Sequence, residues 1–261
     1  MYLFTIIIAT HDRPLLLKRT LESLIAQTCQ NFKLVIVADS SAYIPPYQEL
    51  QAFTGRFVYI IRSGVNGPAE SRNMGLAVTS SDYVVFLDDD DTFKPDHLQN
   101  LVDSLTPARP ALLFCDFQVQ DEDRTVYPPT PLSSATVSIA DVTVDTTYVR
   151  NRIPNSCLAY RGDVLADIRY DTDLVLLEDW EFLLACLKGR GLVHAAFDSV
   201  VIHKSAATAP ENLRRGNTRN EELLRTMLQI YKKHPGPSME IRQARQGLLA
   251  QAGVALDIDH F

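Results

Sequence analysis

Asp88, Asp89, Asp90 and Asp91 stand in an unbroken row directly after the apolar run Tyr83-Val84-Val85-Phe86-Leu87. That run has the length and β-branched content of a buried strand, so the acids emerge at its C-terminal end. In an open α/β sheet this edge is where ligands bind. Carboxylates packed so densely repel one another unless a cation neutralises them, and hard oxygen ligands select Mg²⁺, Mn²⁺ or Ca²⁺. A solvated acidic turn is the plain alternative. The density of the acids and the apolarity of the strand before them favour a divalent-cation site.

Other polar residues fall at comparable places. Thr10, His11 and Asp12 follow the run ending at Ala9, and Asp39 follows the run ending at Ala38. In a parallel sheet these ends share one edge, so residues distant in sequence converge on one crevice. Asp39, with Ser40 and Ser41 after it, can accept hydrogen bonds from a nucleotide or serve as a turn cap. Gly67-Pro68 opens a helix whose N-terminal dipole favours an anion, with Arg72 and Asn73 one turn in. An N-capped helix with an exposed arginine is the competing reading. Glu178-Asp179 begins another helix, either as dipole complements or with one carboxylate as a general base whose pKa its neighbours raise. His203 ends an apolar run at 200–202 and is either a metal ligand or a structural imidazole.

The elements that must position these residues alternate in the first half. Strands are expected at 3–9, 32–38, 57–61, 83–87 and 111–117, with helices from 13 and from 68 to 78 between them. Asp12 is expected to N-cap the first helix, whose Leu17, Leu21, Leu24 and Ile25 share a face. Strands interleaved with helices imply parallel pairing, right-handed crossovers and helices on both faces. The Pro-, Thr- and Ser-rich segment 121–149 reads as a hairpin-and-loop insertion. Further strands are expected at 155–160 and 193–203, with a helix at 178–188 ended by Gly189 or Gly191. Helices at 219–234 and 241–252, broken by Pro235-Gly236-Pro237, close the sequence.

A length of 261 residues fits one large domain or one domain with an elaborated C-terminal part, and 46% hydrophobic residues supply a core. A net charge of −7 argues against nucleic acid as a partner, since phosphate contacts need a basic surface. Cys29, Cys115, Cys157 and Cys186 are scattered without a C-x-x-C pair and read as free thiols, mostly buried, as in a reducing cytosol. The apolar residues 1–8 are too short for a membrane span and lack a signal peptide's basic flank and cleavage site. No later run reaches membrane length, which leaves peripheral contact with a membrane surface open.

The order of blocks resembles a known family. Thr-Ile-Ile-Ile-Ala-Thr-His-Asp-Arg-Pro at 5–14, Leu-Glu-Ser-Leu-Ile-Ala-Gln-Thr at 21–28 and Val-Ile-Val-Ala-Asp-Ser at 35–40 are similar to the inverting glycosyltransferases of family 2. Gly-Pro-Ala-Glu-Ser-Arg-Asn-Met-Gly at 67–75, Val-Phe-Leu-Asp-Asp-Asp-Asp at 85–91 and Glu178-Asp179-Trp180 follow in the family's order. The resemblance implies an α/β GT-A-type (Rossmann-like) fold: a mostly parallel sheet with helices on both faces, an acceptor-binding part and C-terminal helices. It divides the chain into a nucleotide-sugar-binding half at 1–118, an acceptor-binding half of the same domain at 119–205 and a helical extension at 206–261. It implies that Thr10, Asp12, Asp39, Arg72, Asp88 and Asp89 bind the donor nucleotide. It makes Asp90 the prime ligand of Mn²⁺ or Mg²⁺, with His203 as a weaker match, and Asp179 the general base. Asp91, Glu178 and Asn73 are supporting residues. His11-Asp12 replaces the family's usual Tyr-Asn, which alters the nucleobase and ribose contacts.

The function so implied is metal-dependent, inverting transfer from a nucleotide-diphosphate sugar, a UDP-sugar by family frequency, to a hydroxyl on a saccharide or glycolipid. Its setting would be bacterial polysaccharide or glycolipid synthesis in the cytoplasm or at the inner face of the membrane. Two other readings stand beside it. Asp88-x-Asp90-x-Thr92 is also similar to the haloacid-dehalogenase-like phosphatase motif, with Asp88 as nucleophile. A catalytically silent nucleotide-sugar-binding module would share the fold without the activity. Arg214, Arg215 and Arg219 form either a lid over the diphosphate or a solvated helix face.

Overall fold

The apolar runs of the first half build four parallel strands: β1 (Phe4–Thr10), β2 (Phe32–Ala38), β3 (Phe57–Ile61) and β4 (Tyr83–Phe86). They lie in the order β3-β2-β1-β4. Helices α1 (Pro14–Ile25), α2 (Tyr47–Leu50) and α3 (Pro68–Ala77) fall between them. Phe4, Thr5, Ile6, Ile7 and Ile8 of β1 are each at most 1% exposed, so both faces of this strand are covered. The computed structural model describes residues 2–40, 44–64, 67–105, 108–206 and 220–261. Ser41 and the three arginines Arg214, Arg215 and Arg219 lie outside the described residues.

The second half turns the sheet mixed. It adds β5 (Thr92–Phe93), α4 (His97–Leu105), β6 (Leu112–Asp123), β7 (Thr130–Val137), α5 (Val144–Val149), β8 (Leu158–Arg161), α6 (Glu178–Leu187) and β9 (Leu192–Ser205). Strand β8 inserts antiparallel between β4 and β6. Strand β6 pairs parallel with β9, while β7 on β6 and β5 on β9 are antiparallel. The parallel arrangement expected from the alternating pattern therefore holds for the first four strands. The result is one α/β sheet flanked by helices, and β6 carries it across position 118.

Several local expectations need correction. Asp12 does not cap α1: Arg13 holds the N-cap position without a side-chain bond, and Asp12 takes a left-handed φ of 47° in the turn before it. The stretch expected as strand from 155 starts as a 3-10 turn, Asn155–Cys157, before β8. Short polar side chains at such positions divert the backbone by bonding elsewhere, as Ser156 does to Asp91 at 3.0 Å. The insertion at 121–149 is a β6–β7 hairpin followed by α5, which Thr143 and Thr146 open with a reciprocal capping box. Cys115, Cys157 and Cys186 are buried free thiols and Cys29 is a partly buried one.

The C-terminal helices are α7 (Asn220–Lys233) and α8 (Met239–Gln251). No helix among the described residues is long and apolar enough to cross a membrane. Register then sets the site. The Asp39 N–H donates to the Thr10 carbonyl at 3.2 Å, and the Leu87 N–H donates to the Ile7 carbonyl at 3.0 Å. The residues following β1, β2 and β4 consequently open on one edge of the sheet, as parallel pairing requires.

Candidate active site

At that edge the four aspartates part company. The Asp89 side chain is fully buried and grasped by the Arg13 guanidinium. Burial pushes the Asp89 pKa up to about 6 in spite of Arg13, and Asp90 adds to the rise while a Thr10 hydrogen bond opposes it. Asp91 is 1% exposed and serves the scaffold: its carboxylate accepts from the Ser156 hydroxyl at 3.0 Å and from the His203 backbone N–H at 3.2 Å. The Asp88 side chain remains 36% exposed and that of Asp90 12%. These two carboxylates are the tetrad's oxygen donors toward the crevice.

Guanidinium groups supply the neutralising charge. Arg124 Nη1 lies 3.1 Å from Asp90 Oδ2, and Arg13 Nη1 lies 3.4 Å from the same oxygen. Arg124 also bonds Glu122 at 2.7 Å, and Arg19 bonds the other Glu122 oxygen at 2.6 Å. Burial acts against the Glu122 charge, but His203, Arg19 and Arg124 outweigh it and pull its pKa down to about 2. Arg13 and Arg124 on Asp89 and Asp90, with Arg72 on Asp88, thus offset part of the tetrad's charge in this structure. Arg13, Arg19, Arg124, Glu122 and Ser156 join the site without having been expected there. Arg13 was visible beside a strand end on the shared edge, whereas Arg124 becomes a partner only once β6 and β9 are paired.

Arg72 ties Asp88 to the start of α6. Its Nη2 donates to Asp88 Oδ1 at 2.9 Å and its Nη1 to Glu178 Oε1 at 2.9 Å. Burial opposes its charge, and Asp88, Tyr170, Glu178 and Asp179 more than offset that, so its pKa lies well above the ordinary value. The guanidinium lies over the Tyr170 ring at 5.3 Å. Asn73 does not face the crevice but clamps Tyr170, donating to its carbonyl at 2.9 Å and accepting from its N–H at 2.8 Å.

Asp179 begins the same helix. Its carboxylate accepts the Trp180 N–H at 2.8 Å. Partial burial and the neighbouring Glu178 push its pKa up to about 7, against the pull of Arg72. Leu177, just before the helix, takes a left-handed φ of 59°, uncommon for a branched residue and the kind of strain that gathers at functional sites. A carboxyl that is half ionised near neutral pH at a crevice suits proton abstraction.

The matching family model is glycosyl transferase family 2, and it covers residues 5–165, more than half of the chain. The chain belongs to this family.

Among its relatives, an uncharacterised glycosyltransferase of Haemophilus influenzae is 29% identical over 192 residues, covering 71% of this chain and 62% of that protein. Succinoglycan biosynthesis protein ExoW of Rhizobium meliloti is 37% identical over 108 residues, 39% of this chain and 34% of ExoW. The chain thus spans less than two thirds of either relative. The fold matches Staphylococcus aureus TarS 1–349 in complex with UDP-GlcNAc at TM-score 0.67 and 17% identity, over 95% of this chain and 72% of that one. It also matches the mannosyltransferase PcManGT of Pyrobaculum calidifontis, in complex with GDP-Man and Mn²⁺, at TM-score 0.62 and 14% identity, over 99% and 77%. At such identities the likeness concerns the fold.

Within this family 2 chain, the remaining site residues take these positions. Asp39 is buried, with His11 Nδ1 at 2.6 Å on one oxygen and the Gly67 N–H at 2.9 Å on the other. Arg62 also approaches at 3.4 Å. Asp39 therefore anchors the loop that opens α3 and orients His11. Asp12 stays exposed at the rim, with a 43% exposed side chain. His203 is 5% exposed, and both ring nitrogens are engaged. Ionised Glu122 can only accept, so Nδ1 carries the proton across 2.9 Å and Nε2 accepts from the Thr92 hydroxyl at 2.9 Å. His203 acts behind the crevice as a brace for Glu122.

Among the described residues no three His, Cys, Asp or Glu side chains form a ready cation cage. Mg²⁺-type ions at nucleotide sites are commonly held by one or two carboxylates plus substrate phosphates. Asp90 and Asp88, the two least buried members of the tetrad, fit that smaller set, with the diphosphate completing it.

Proposed function

We propose that this protein transfers a glycosyl group from a nucleotide-diphosphate sugar to an acceptor hydroxyl, inverting the anomeric centre. The observation that carries this reading is Arg72, which joins Asp88 to Glu178 through two 2.9 Å bonds and so sets Asp179 beside the donor acids. Acids 88 and 179 belong to opposite substrates, and inversion requires that they act on opposite sides of one carbon.

In the single displacement, Asp179 takes the proton from the acceptor O–H as that oxygen bonds to the anomeric carbon. The bond from that carbon to the β-phosphate oxygen breaks, and its electron pair leaves with the nucleoside diphosphate. No covalent enzyme intermediate is needed. Asp90, assisted by Asp88, would hold Mn²⁺ or Mg²⁺, which when bound would neutralise the diphosphate and the charge growing on it. Thr10, Asp12 and the Asp39–His11 pair line the nucleoside side. Asp89 is a buried anchor for Arg13 and reaches the donor only through it. The metal role of His203 is not retained, since its ring serves Glu122 and Thr92.

The donor proposed is a UDP-sugar, on family resemblance. A saccharide or glycolipid acceptor in polysaccharide synthesis is supported by ExoW, named for succinoglycan biosynthesis. The setting proposed is cytoplasmic, in line with the free thiols. The phosphatase reading loses its ground with the family match. The silent-module reading is separated by experiment. A panel of nucleotide sugars with Mn²⁺ is screened for nucleoside-diphosphate release, with and without glycan acceptors, in wild type and Asp179→Asn. Release that needs Asp179 and is stimulated by an acceptor supports transfer. Donor binding without transfer or hydrolysis would identify a silent module.

A further inference from the structure

Asp90 is held from two directions, and both holds end on one buried carboxylate. Its backbone carbonyl accepts from Arg19 Nη2 at 2.8 Å, and its Oδ2 lies 3.1 Å from Arg124 Nη1. Both guanidinium groups also bond Glu122, Arg19 Nη1 to Oε2 at 2.6 Å and Arg124 Nε to Oε1 at 2.7 Å. Glu122 is fully buried, and His203 Nδ1 completes its set of donors at 2.9 Å from Oε2. It is too deep to touch a ligand, so whatever it does for the site it does through its partners.

The hairpin aims it there. The β6–β7 register shifts between Asp121 and Glu122, an irregularity of the kind that re-aims side chains beside functional sites. Asp121 stays partly exposed and accepts from the Ser133 hydroxyl at 2.7 Å, whereas Glu122 turns inward to the arginines. Helix α1 meets it from the other side. After Arg19, the Thr20 hydroxyl lies 3.0 Å from the Asp89 carbonyl and 2.8 Å from the Asp91 carbonyl. Two successive residues of α1 thus fix the carbonyls of 89, 90 and 91, and the Asp90 side chain is left to Arg124 and Arg13.

Those two charges are shared unequally. Arg124 makes its shorter bond to Glu122, at 2.7 Å against 3.1 Å to Asp90, and its remaining nitrogen donates to the His203 carbonyl at 3.0 Å. Arg13 lies 3.4 Å from the same Asp90 oxygen and is held closer by Asp89. An arginine paired with Asp90 alone would compete with a cation for that oxygen, whereas one tied to a second carboxylate brings only part of its charge. We propose that Glu122 is a positioning residue for Asp90: it fixes Arg19 on the Asp90 backbone and restrains Arg124 from the Asp90 carboxylate, which stays available to a divalent cation. This role rests on the proposed part of Asp90 in holding the donor's metal.

The test reads Mn²⁺ binding rather than turnover. The full chain, saturated with whichever of UDP, GDP, CDP, dTDP and ADP raises its melting midpoint most, is titrated with Mn²⁺, and bound metal is read from water-proton relaxation. Glu122→Gln should raise the half-saturating Mn²⁺ concentration about tenfold, since a negative charge is lost and Arg124 turns more of its own on Asp90. Arg124→Gln removes the restrained competitor and should leave that concentration unchanged or lower it severalfold. Combining the two substitutions should bring it back to within about threefold of wild type, because neighbouring charges couple. A residue that only supports the fold would do the reverse, with the double variant binding Mn²⁺ more weakly than either single one. Unchanged binding in Glu122→Gln, weaker binding in Arg124→Gln, or a double variant without recovery would overturn the role. Should Glu122→Gln fail to fold, Arg124→Gln and the double variant decide the matter against wild type on the same terms. Asp90→Ala is run beside them. Mn²⁺ binding lost there but unmoved in Glu122→Gln would refute Glu122 alone. Binding kept in Asp90→Ala, or no nucleotide or Mn²⁺ response in wild type, would refute the metal reading and this role with it.

Discussion

Asp179 has the acidity of a base designed for neutral pH. Burial and Glu178 hold its pKa up to about 7, so kcat/KM for transfer should climb about tenfold per pH unit below that value and level off above it. Asp179→Asn should lower transfer by about 10²–10⁴-fold while leaving nucleotide affinity unchanged in calorimetry. The same raised pKa has a stability cost. The folded state holds a proton that the unfolded state releases near its ordinary value of 3.8, so stability falls as pH rises from there through about 7. Asp179→Asn should therefore be more stable than wild type at pH 8 and show little difference at pH 4. Arg72→Ala leaves Asp88 and Glu178 facing each other without a counter-charge and should cost about 3–5 kcal/mol in urea unfolding. The acids themselves were legible in the sequence because they follow apolar runs. Their arginine partners were not: Arg13 and Asp89 are 76 residues apart, and Arg72 and Glu178 are 106 apart.

Elements were legible where a pattern was local. Strands β2 and β3 fall on the expected residues because each is a short apolar run bounded by polar ones. Helix α4 is equally readable from Leu98, Leu101 and Leu105, all buried at helical spacing. Antiparallel pairing of β8 between β4 and β6 has no local signature, since an apolar strand buried on both faces reads alike in either direction. One close approach is decisive for the site. A Cβ at Gly75 would lie 2.6 Å from the Cγ2 of Ile7, so α3 can rest on β1 only because this residue is glycine. Gly75→Ala should push α3 outward, cost about 1–3 kcal/mol in chemical denaturation and weaken nucleotide binding by displacing Arg72.

At the scale of the molecule, the ordered blocks fixed the family and fold, whereas the packing of the C-terminal helices was beyond sequence reading. Arg245 of α8 is completely buried, 4.2 Å over the Tyr231 ring. It donates to the Tyr148 carbonyl at 2.8 Å and the His234 carbonyl at 2.9 Å. Burial draws its pKa down to about 10, partly countered by Tyr231 and Tyr148, so it stays charged at neutral pH. A charged residue in a helix of even polarity gives no hint of such a role. Arg245→Ala should loosen α5, α7 and α8 together, lowering stability by about 2–4 kcal/mol with faster amide exchange confined to them. The donor crevice, built on β1, β2 and β4, should keep its nucleotide affinity. The central claim is that Asp90 gathers the donor's diphosphate through a divalent cation while Asp179 stands apart as the base. The most direct measurement is thermal unfolding with UDP, GDP, CDP, dTDP or ADP, each with and without Mn²⁺ or Mg²⁺, in wild type, Asp90→Ala and Asp179→Asn. One nucleotide should raise the midpoint only when metal is present, in wild type and Asp179→Asn but not in Asp90→Ala. A metal-dependent shift that survives in Asp90→Ala, or no shift with any nucleotide, would contradict it.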